Sequence, residues 1–172
     1  MKNNDSRIVR FASGSGRNFG KATNQTKSLK SFIDDFRKPT VTPERQRDYN
    51  KMNDKDQQHT KAVAGWIYRT QVDGPVRNRG SGLPSDFITF DFDYATPEFL
   101  EKLLSDDPGL DCEFFIHSTR RHTPEKPRLR MWVLADQAIP NDIYVSVSRI
   151  IAEKFDMVSL RINYPHSFGA LK

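Results

Sequence analysis

Two aspartates lie near the end of FITFDFDYAT, a run of aromatic and β-branched residues from Phe87 to Thr96. Side chains alternate along an extended strand, so Asp91 and Asp93 are expected on one face. The opposite face is expected to carry Ile88, Phe90, Phe92 and Tyr94. Adjacent carboxylates repel each other, and Mg²⁺ prefers one or two carboxylates together with phosphate oxygens. The pair predicts a divalent metal site; the structural alternative is a strand end with solvated acids.

A basic block follows in HSTRRHTPEKPRLRMWVL, from His117 to Leu134. CEFFIHS and RLRMWVL each predict a strand, and two prolines keep the connection out of a helix, so the block predicts a hairpin. Packed guanidinium groups repel each other unless an anion lies between them, and a triphosphate or a nucleic-acid backbone fits. The alternative is a solvated basic loop. The cationic residues and the neighbouring histidine are Arg120, Arg121, His122, Lys126, Arg128 and Arg130.

Carboxylates for a metal beside a basic hairpin for phosphates form the constellation of nucleotidyl transfer. The chain also carries KPTVTPERQRDYNKM, QQHTKAVAGWIY and STRRHTPEKPRLR, the last followed by a helical pattern ending in IIAEKF. With FITFDFDYAT, these segments resemble the primase–polymerase domain of the archaeo-eukaryotic primase superfamily. Within that superfamily, the segments are most similar to the domain found in phage and mobile-element replication proteins, which are described as virulence-associated E. The resemblance runs from about Lys38 to Phe155.

The resemblance implies that Asp91 and Asp93 bind catalytic metals. In the family, a Ser-x-His element and nearby basic residues hold the triphosphate of the incoming nucleotide. The serine corresponds to Ser118, whereas Arg120 stands where the histidine is expected. His122 is then the nearest histidine for a phosphate contact.

The family also has a third acid shortly before a strand with an Arg…Met-Tyr-x-Pro pattern. This chain reads FDMVSLRINYPHSFGALK, which is shorter than that pattern. Asp156 is the candidate for the third acid, and a truncated C-terminal end would weaken catalysis.

The function predicted on this basis is a template-directed DNA or RNA nucleotidyltransferase of the primase–polymerase type. Its catalytic acids are Asp91, Asp93 and Asp156, with Mg²⁺ or Mn²⁺ as cofactor, and Arg77 and Arg79 are weaker candidates for template contact. Nucleoside triphosphates, a single-stranded DNA template and a separately encoded helicase are the expected partners. The predicted nucleotide-binding residues are Ser118, Arg120, His122, Lys126, Arg128 and Arg130.

Two other classes of function stay open. A primase-derived module with weak or no activity could bind single-stranded DNA, nucleotide or a replication partner. A metal-dependent nuclease also uses paired acids, but it usually has further acids or a lysine near the metal and no triphosphate clamp, so it ranks last.

Composition sets the class of protein. The 172 residues suit one domain, long enough to bury a single core, and the net charge of +5 with a pI near 9.4 favours a polyanionic partner. A lone cysteine, Cys112, fits a reducing compartment. No segment reaches the roughly 18 apolar residues of a membrane span, and the N-terminus is unlike a signal peptide. These features predict a cytoplasmic protein, and the resemblance to phage proteins implies a bacterial host cell. SGSGRNFGKAT lacks the spacing of a Walker-type phosphate loop.

The order of predicted elements indicates an α+β fold, an RRM-like antiparallel or mixed sheet with helices on one face. Residues 1–37 are predicted to be a basic, partly flexible segment, and residues 38–172 the catalytic domain. Strands are predicted at 7–12, 66–72, 87–94, 113–118 and 128–134, and a mobile loop at 13–27. Helices are predicted at 28–36, from Thr42 towards Ala64, from Thr96 to about 107, and at 141–155, where Ile143, Val147, Ile150 and Ile151 share one face.

Overall fold

The computed structural model describes residues 6–16, 21–75 and 81–157. The chain divides into two compact units, with the boundary between Asp86 and Phe87. Each unit is built on a three-stranded sheet, so the α+β class is confirmed. The sequence-based division at residue 38 stays a prediction. No helix among the described residues is long and apolar enough to cross a membrane.

The sheet of the first unit consists of β1 (Ile8–Gly14), β2 (Thr23–Ser28) and β3 (Trp66–Tyr68). The strand order is β2-β1-β3, and both neighbours run antiparallel to β1. Helix α1 (Leu29–Phe36) begins where the hydroxyl of Ser28 accepts the backbone N–H of Ser31 at 3.2 Å. Its buried Phe32 packs on Phe11 of β1 with ring centroids 4.7 Å apart. The predicted strand at 7–12 and helix at 28–36 are confirmed.

The loop predicted over residues 13–27 is wrong for its second half, because Thr23–Ser28 form β2. These residues are mostly polar, but they pair with β1 from Ile8↔Ser28 to Ser13↔Thr23. An exposed edge strand buries few side chains, so its ladder of backbone hydrogen bonds, which composition does not report, decides its structure. Residues 17–20 of the predicted loop lie outside the described part of the chain.

The helix predicted to begin at Thr42 is also wrong. Helix α2 (Gln46–Tyr49) is a single turn, and α3 (Asp54–Ala62) begins where the side chain of Asn53 accepts the N–H of Asp56 at 2.9 Å. The buried amide of Gln57 donates to the carbonyls of Tyr49 and Met52, both at 3.1 Å, and so links the two helices. The strand predicted at 66–72 is shorter, because β3 ends at Tyr68.

The second sheet consists of β4 (Ser85–Phe92), β5 (Phe114–Ser118) and β6 (Leu129–Ile139), in the order β4-β6-β5. Strands β5 and β6 are antiparallel, with Phe115 opposite Trp132 and His117 opposite Arg130. Helices α4 (Pro97–Leu104) and α5 (Tyr144–Lys154) contribute to the same core as the apolar residues of the sheet. That core includes Ile88, Phe90, Phe92, Leu129, Met131, Val133, Leu103, Tyr144 and Ala152. The predicted alternation is confirmed within β4, where Ile88, Phe90 and Phe92 belong to this core.

Helix α5 packs on the core with part of the predicted face, since Val147 and Ile151 are partly buried against it. Its buried residues are Tyr144, Ser148 and Ala152, whereas Ile143 and Ile150 are 46% and 63% exposed. The spacing of four residues places the three buried side chains in one stripe, and two of them are small. The phenol oxygen of Tyr144 also accepts the buried backbone N–H of Thr89 in β4 at 3.0 Å. Apolar character alone missed Tyr144, whose buried hydrogen bond links this helix to β4.

We expect Tyr144→Phe to destabilise the chain by about 1–3 kcal/mol, because the buried N–H of Thr89 loses its acceptor. Ile150→Ala, on the exposed side of the same helix, should change stability by less than about 0.5 kcal/mol. Urea unfolding of both variants measures the difference. Equal stabilities for Tyr144→Phe and the wild type would show that this hydrogen bond does not hold α5 on the sheet.

Candidate functional site

The two acids lie where β4 ends. Asp91 is the last residue but one of the strand, and Asp93 follows its final residue, Phe92. Their side chains are 23% and 41% exposed, although the strand is otherwise buried from Ser85 to Phe92. Tyr94 is 60% exposed and does not share the buried face of Phe90 and Phe92, contrary to the predicted alternation. Alternation applies only within a strand, and the chain has left β4 at this point.

Each acid is paired with an arginine of the basic hairpin. Arg130, on β6, donates from Nε to Oδ1 of Asp91 at 2.5 Å and from Nη2 to Oδ2 at 3.0 Å. Arg128, just before β6, donates from Nη1 to Oδ1 of Asp93 at 2.9 Å. The sequence predicted two clusters of like charge that require external ligands. The structure brings the clusters together, and each compensates the charge of the other.

His117 extends this arrangement across the sheet. It lies opposite Arg130 in the β5–β6 register, so Asp91, Arg130 and His117 follow one another on β4, β6 and β5. Its Nδ1 lies 3.1 Å from the carbonyl oxygen of Ser118. Burial lowers the pKa of His117, and the charge of Arg130 lowers it further, while the Ser118 carbonyl and Asp91 act in the opposite direction. The sequence analysis missed His117 because only the strand register shows that it faces Arg130.

The loop of the hairpin is held by hydrogen bonds around His122. The Thr119 N–H donates to the Arg128 carbonyl at 2.9 Å, and the Arg128 N–H donates to Nδ1 of His122 at 3.3 Å. A turn closes the tip, where the N–H groups of Thr123 and Lys126 donate to each other's carbonyls at 3.3 and 3.2 Å. His122 therefore shapes the hairpin beside Arg128.

The other predicted nucleotide-binding residues lie around the same hairpin. Ser118 is exposed at the end of β5, and Lys126 is exposed at the tip of the hairpin. Arg120 and Arg121 are half-buried in its loop. Arg77 and Arg79 lie outside the described residues. Arg128 and Arg130 are thus the hairpin residues whose contacts with the two acids the structure shows.

Asp156 lies at the end of α5, in the left-handed region with φ of 52°. It lines a cavity with Phe99, Lys102, Lys154 and Met157, and neither Asp91 nor Asp93 is part of that lining. Among the described residues, no group of three or more His, Cys, Asp or Glu side chains could hold a metal ion. The role of Asp156 as third acid stays a prediction.

A divalent metal fits the chemistry of Asp91 and Asp93, although Asp91 already has a charged partner in Arg130. Carboxylate oxygens are the ligands that Mg²⁺ and Mn²⁺ prefer. Both oxygens of Asp91 accept hydrogen bonds from Arg130, so a metal would compete with the guanidinium for the negative charge of that carboxylate. These two carboxylates alone supply fewer ligands than such ions require, and phosphate or water oxygens would complete the set.

The family model of the VapE N-terminal domain matches the chain over residues 1–161. The chain belongs to this family. The family fits a protein of a phage or mobile element, as the sequence analysis expected. The match includes residues 1–37, which the resemblance to primases did not cover. No curated protein and no solved structure matches the chain.

The lowered pKa of His117 predicts a pH dependence of stability. The folded state favours the neutral imidazole, so the unfolded state binds the proton more readily. The contribution of His117 to the free energy of unfolding should be fully present above pH 6.5, the ordinary pKa of histidine. It should be lost as the pH falls from 6.5 towards the lower pKa of His117 in the folded state. Urea unfolding between pH 8 and pH 5 should show a smaller loss for His117→Gln than for the wild type.

His59→Gln, at an exposed position of α3, is the matched control and should follow the wild type. The same pH profile for wild type and His117→Gln would contradict the account of His117.

Proposed function

We propose that this chain is a primase–polymerase-type nucleotidyltransferase that acts in the replication of a phage or mobile element. Its substrates are nucleoside triphosphates, its template is single-stranded DNA, and its cofactor is Mg²⁺ or Mn²⁺. The observation that carries the proposal is the pairing of Asp91 with Arg130 and of Asp93 with Arg128 on one sheet. The fold described as RRM-like is part of the same proposal.

A metal–nucleotide complex contains the two chemical groups that these pairs can receive. Carboxylates suit the divalent ion, and the planar guanidinium groups suit phosphate oxygens. Binding would thus exchange each ion pair for an equivalent contact, and no charge would be left uncompensated. Partly exposed ion pairs contribute little, about 0–1 kcal/mol each, so separating them costs little. The site is therefore self-neutralised without ligand and complementary to the complex.

The residues have separate roles in this scheme. Asp91 and Asp93 would hold the metal, which when bound brings a 3′-hydroxyl and the reacting phosphate together and stabilises the developing charge. Arg128, Arg130 and Lys126 would neutralise the triphosphate as charge moves to the leaving pyrophosphate. The exposed hydroxyl of Ser118 would donate to a phosphate oxygen. Neutral His117 would keep Arg130 in position on the sheet without adding a charge.

Four further assignments complete the proposal. Arg120 and His122 belong to the triphosphate-binding hairpin, and for His122 the contact with the Arg128 N–H supports a positioning role. Arg77 and Arg79 would contact the template. Asp156 would supply the third acid, and a separately encoded helicase would provide unwound DNA.

A second candidate function is a non-catalytic module that binds single-stranded DNA or nucleotide. Two observations favour it. The acids are already compensated by arginines, and Asp156 lines a cavity with Lys102 and Lys154 rather than with the other acids. In that case the basic hairpin would bind phosphates, and the acid–arginine pairs would only hold the hairpin in place.

The exchange of partners makes a prediction about single substitutions. Asp91→Asn releases Arg130 from its pair, so binding of inorganic triphosphate without divalent metal should strengthen about two- to fivefold, the equivalent of an ion pair worth up to ~1 kcal/mol. Arg130→Gln releases Asp91, so binding of Mn²⁺ alone should strengthen by a similar factor. Both variants should bind the Mn²⁺–nucleotide complex more weakly. Calorimetric titration measures all three ligands.

Lys30→Gln and Asp34→Asn provide matched controls, because they remove an exposed ion pair of α1 and should leave all three titrations unchanged. The proposed exchange of partners is contradicted if Asp91→Asn binds inorganic triphosphate, and Arg130→Gln binds Mn²⁺, no more tightly than the wild type does.

Nucleotide incorporation on a primed single-stranded template separates the two candidate functions. The wild type should extend the primer with Mg²⁺ or Mn²⁺, and Asp91→Asn should reduce the rate by orders of magnitude. Asp156→Asn should do the same while nucleotide binding survives. A wild-type chain that binds nucleotide and template but extends nothing would establish the non-catalytic module instead.

A further inference from the structure

Tyr94 is a large aromatic residue exposed beside the acid–arginine pairs. Its side chain is 60% exposed, whereas Phe90 and Phe92, which precede it on the same segment, are 0% and 1% exposed. An aromatic ring left in water forgoes the stabilisation that burial would give. Core packing therefore does not account for its position.

The ring is placed by its neighbours in the candidate site. Tyr94 directly follows Asp93, and the guanidinium carbon of Arg128 lies 6.0 Å from the centre of the ring. The same guanidinium donates to Asp93 at 2.9 Å. At 6.0 Å the contact lies at the outer limit of a cation–π interaction, so its energy is small. The distance nevertheless shows where the ring lies, which is beside Arg128, an arginine that is a candidate for phosphate binding.

We propose that Tyr94 is the stacking surface for the base of the nucleotide whose phosphates bind Arg128 and Arg130. This inference rests on the proposed function and adds a residue that distinguishes nucleotides from other polyphosphates. A nucleotide that places its phosphates on these arginines carries its base one sugar away, within reach of a neighbouring ring. Stacking uses the π-face that every base has, so Tyr94 would favour nucleotides without selecting one base.

The test compares nucleoside triphosphate with inorganic triphosphate. Tyr94→Ala should weaken binding of the Mn²⁺–nucleoside triphosphate complex roughly five- to hundredfold, the factor that corresponds to stacking worth ~1–3 kcal/mol. The same substitution should leave binding of inorganic triphosphate with Mn²⁺ within about twofold. Tyr94→Phe keeps the ring and should bind the nucleotide nearly as the wild type does. Arg128→Gln should weaken both ligands, since it removes a phosphate contact.

Leu104→Ala is the matched control, because Leu104 is an equally exposed apolar residue of the same unit, at 69%, and should change neither titration. Equal losses for the two ligands in Tyr94→Ala would mean that the ring only supports Arg128, and no loss for either would also overturn the proposal. If Tyr94→Ala weakens binding of single-stranded DNA alone, the ring contacts the template, and the proposal is overturned as well. If Tyr94→Ala gives one of these overturning results while inorganic triphosphate still binds in an Arg128-dependent way, the inference alone fails. If neither ligand binds the wild type, the proposed function fails with it.

Discussion

The bidentate contact between Arg130 and Asp91 determines what the second sheet can do. It joins the central strand β6 to the acid-bearing strand β4, and the neighbouring contact of Arg128 with Asp93 repeats the pairing one step along the hairpin. Two carboxylates without partners would repel each other, and so would two guanidinium groups. Together the four charges cancel, so acids and arginines can lie at the edge of an apolar core without an external ligand.

The same cancellation constrains the function. A metal that binds Asp91 competes with Arg130, and a phosphate that binds Arg130 competes with Asp91. A ligand that carries both a metal ion and phosphates could compensate Asp91 and Arg130 together. A ligand that carries one of the two would leave the other side chain without compensation. Under the proposed function, this coupling would favour a metal–nucleotide complex over either component. The membership of the VapE N-terminal domain family agrees with a role in phage or mobile-element biology.

Sequence pattern predicted the parts of the fold that bury apolar side chains. Alternation within β4, the start of α4 next to Thr96 and the α1 helix are all present. It failed where hydrogen bonds outweigh hydrophobicity. The polar strand β2 is held by its ladder with β1, and α5 is oriented by the bond between Tyr144 and Thr89. For the site, the acids and arginines were predictable as residues, but their mutual pairing and the place of His117 depend on strand register. Tyr94 was misplaced because β4 ends two residues before it.

An anomalous-diffraction map of the chain crystallised with Mn²⁺ and a non-hydrolysable nucleoside triphosphate tests the central claim most directly. The account predicts a Mn²⁺ peak at coordination distance from Asp91 and Asp93, with Arg128 and Arg130 turned from the acids onto phosphate oxygens. A map with no Mn²⁺ at these acids and with Arg130 still bound to Asp91 would contradict it. The acid–arginine pairs would then be structural contacts, and the chain would not be a metal-dependent nucleotidyltransferase of this design.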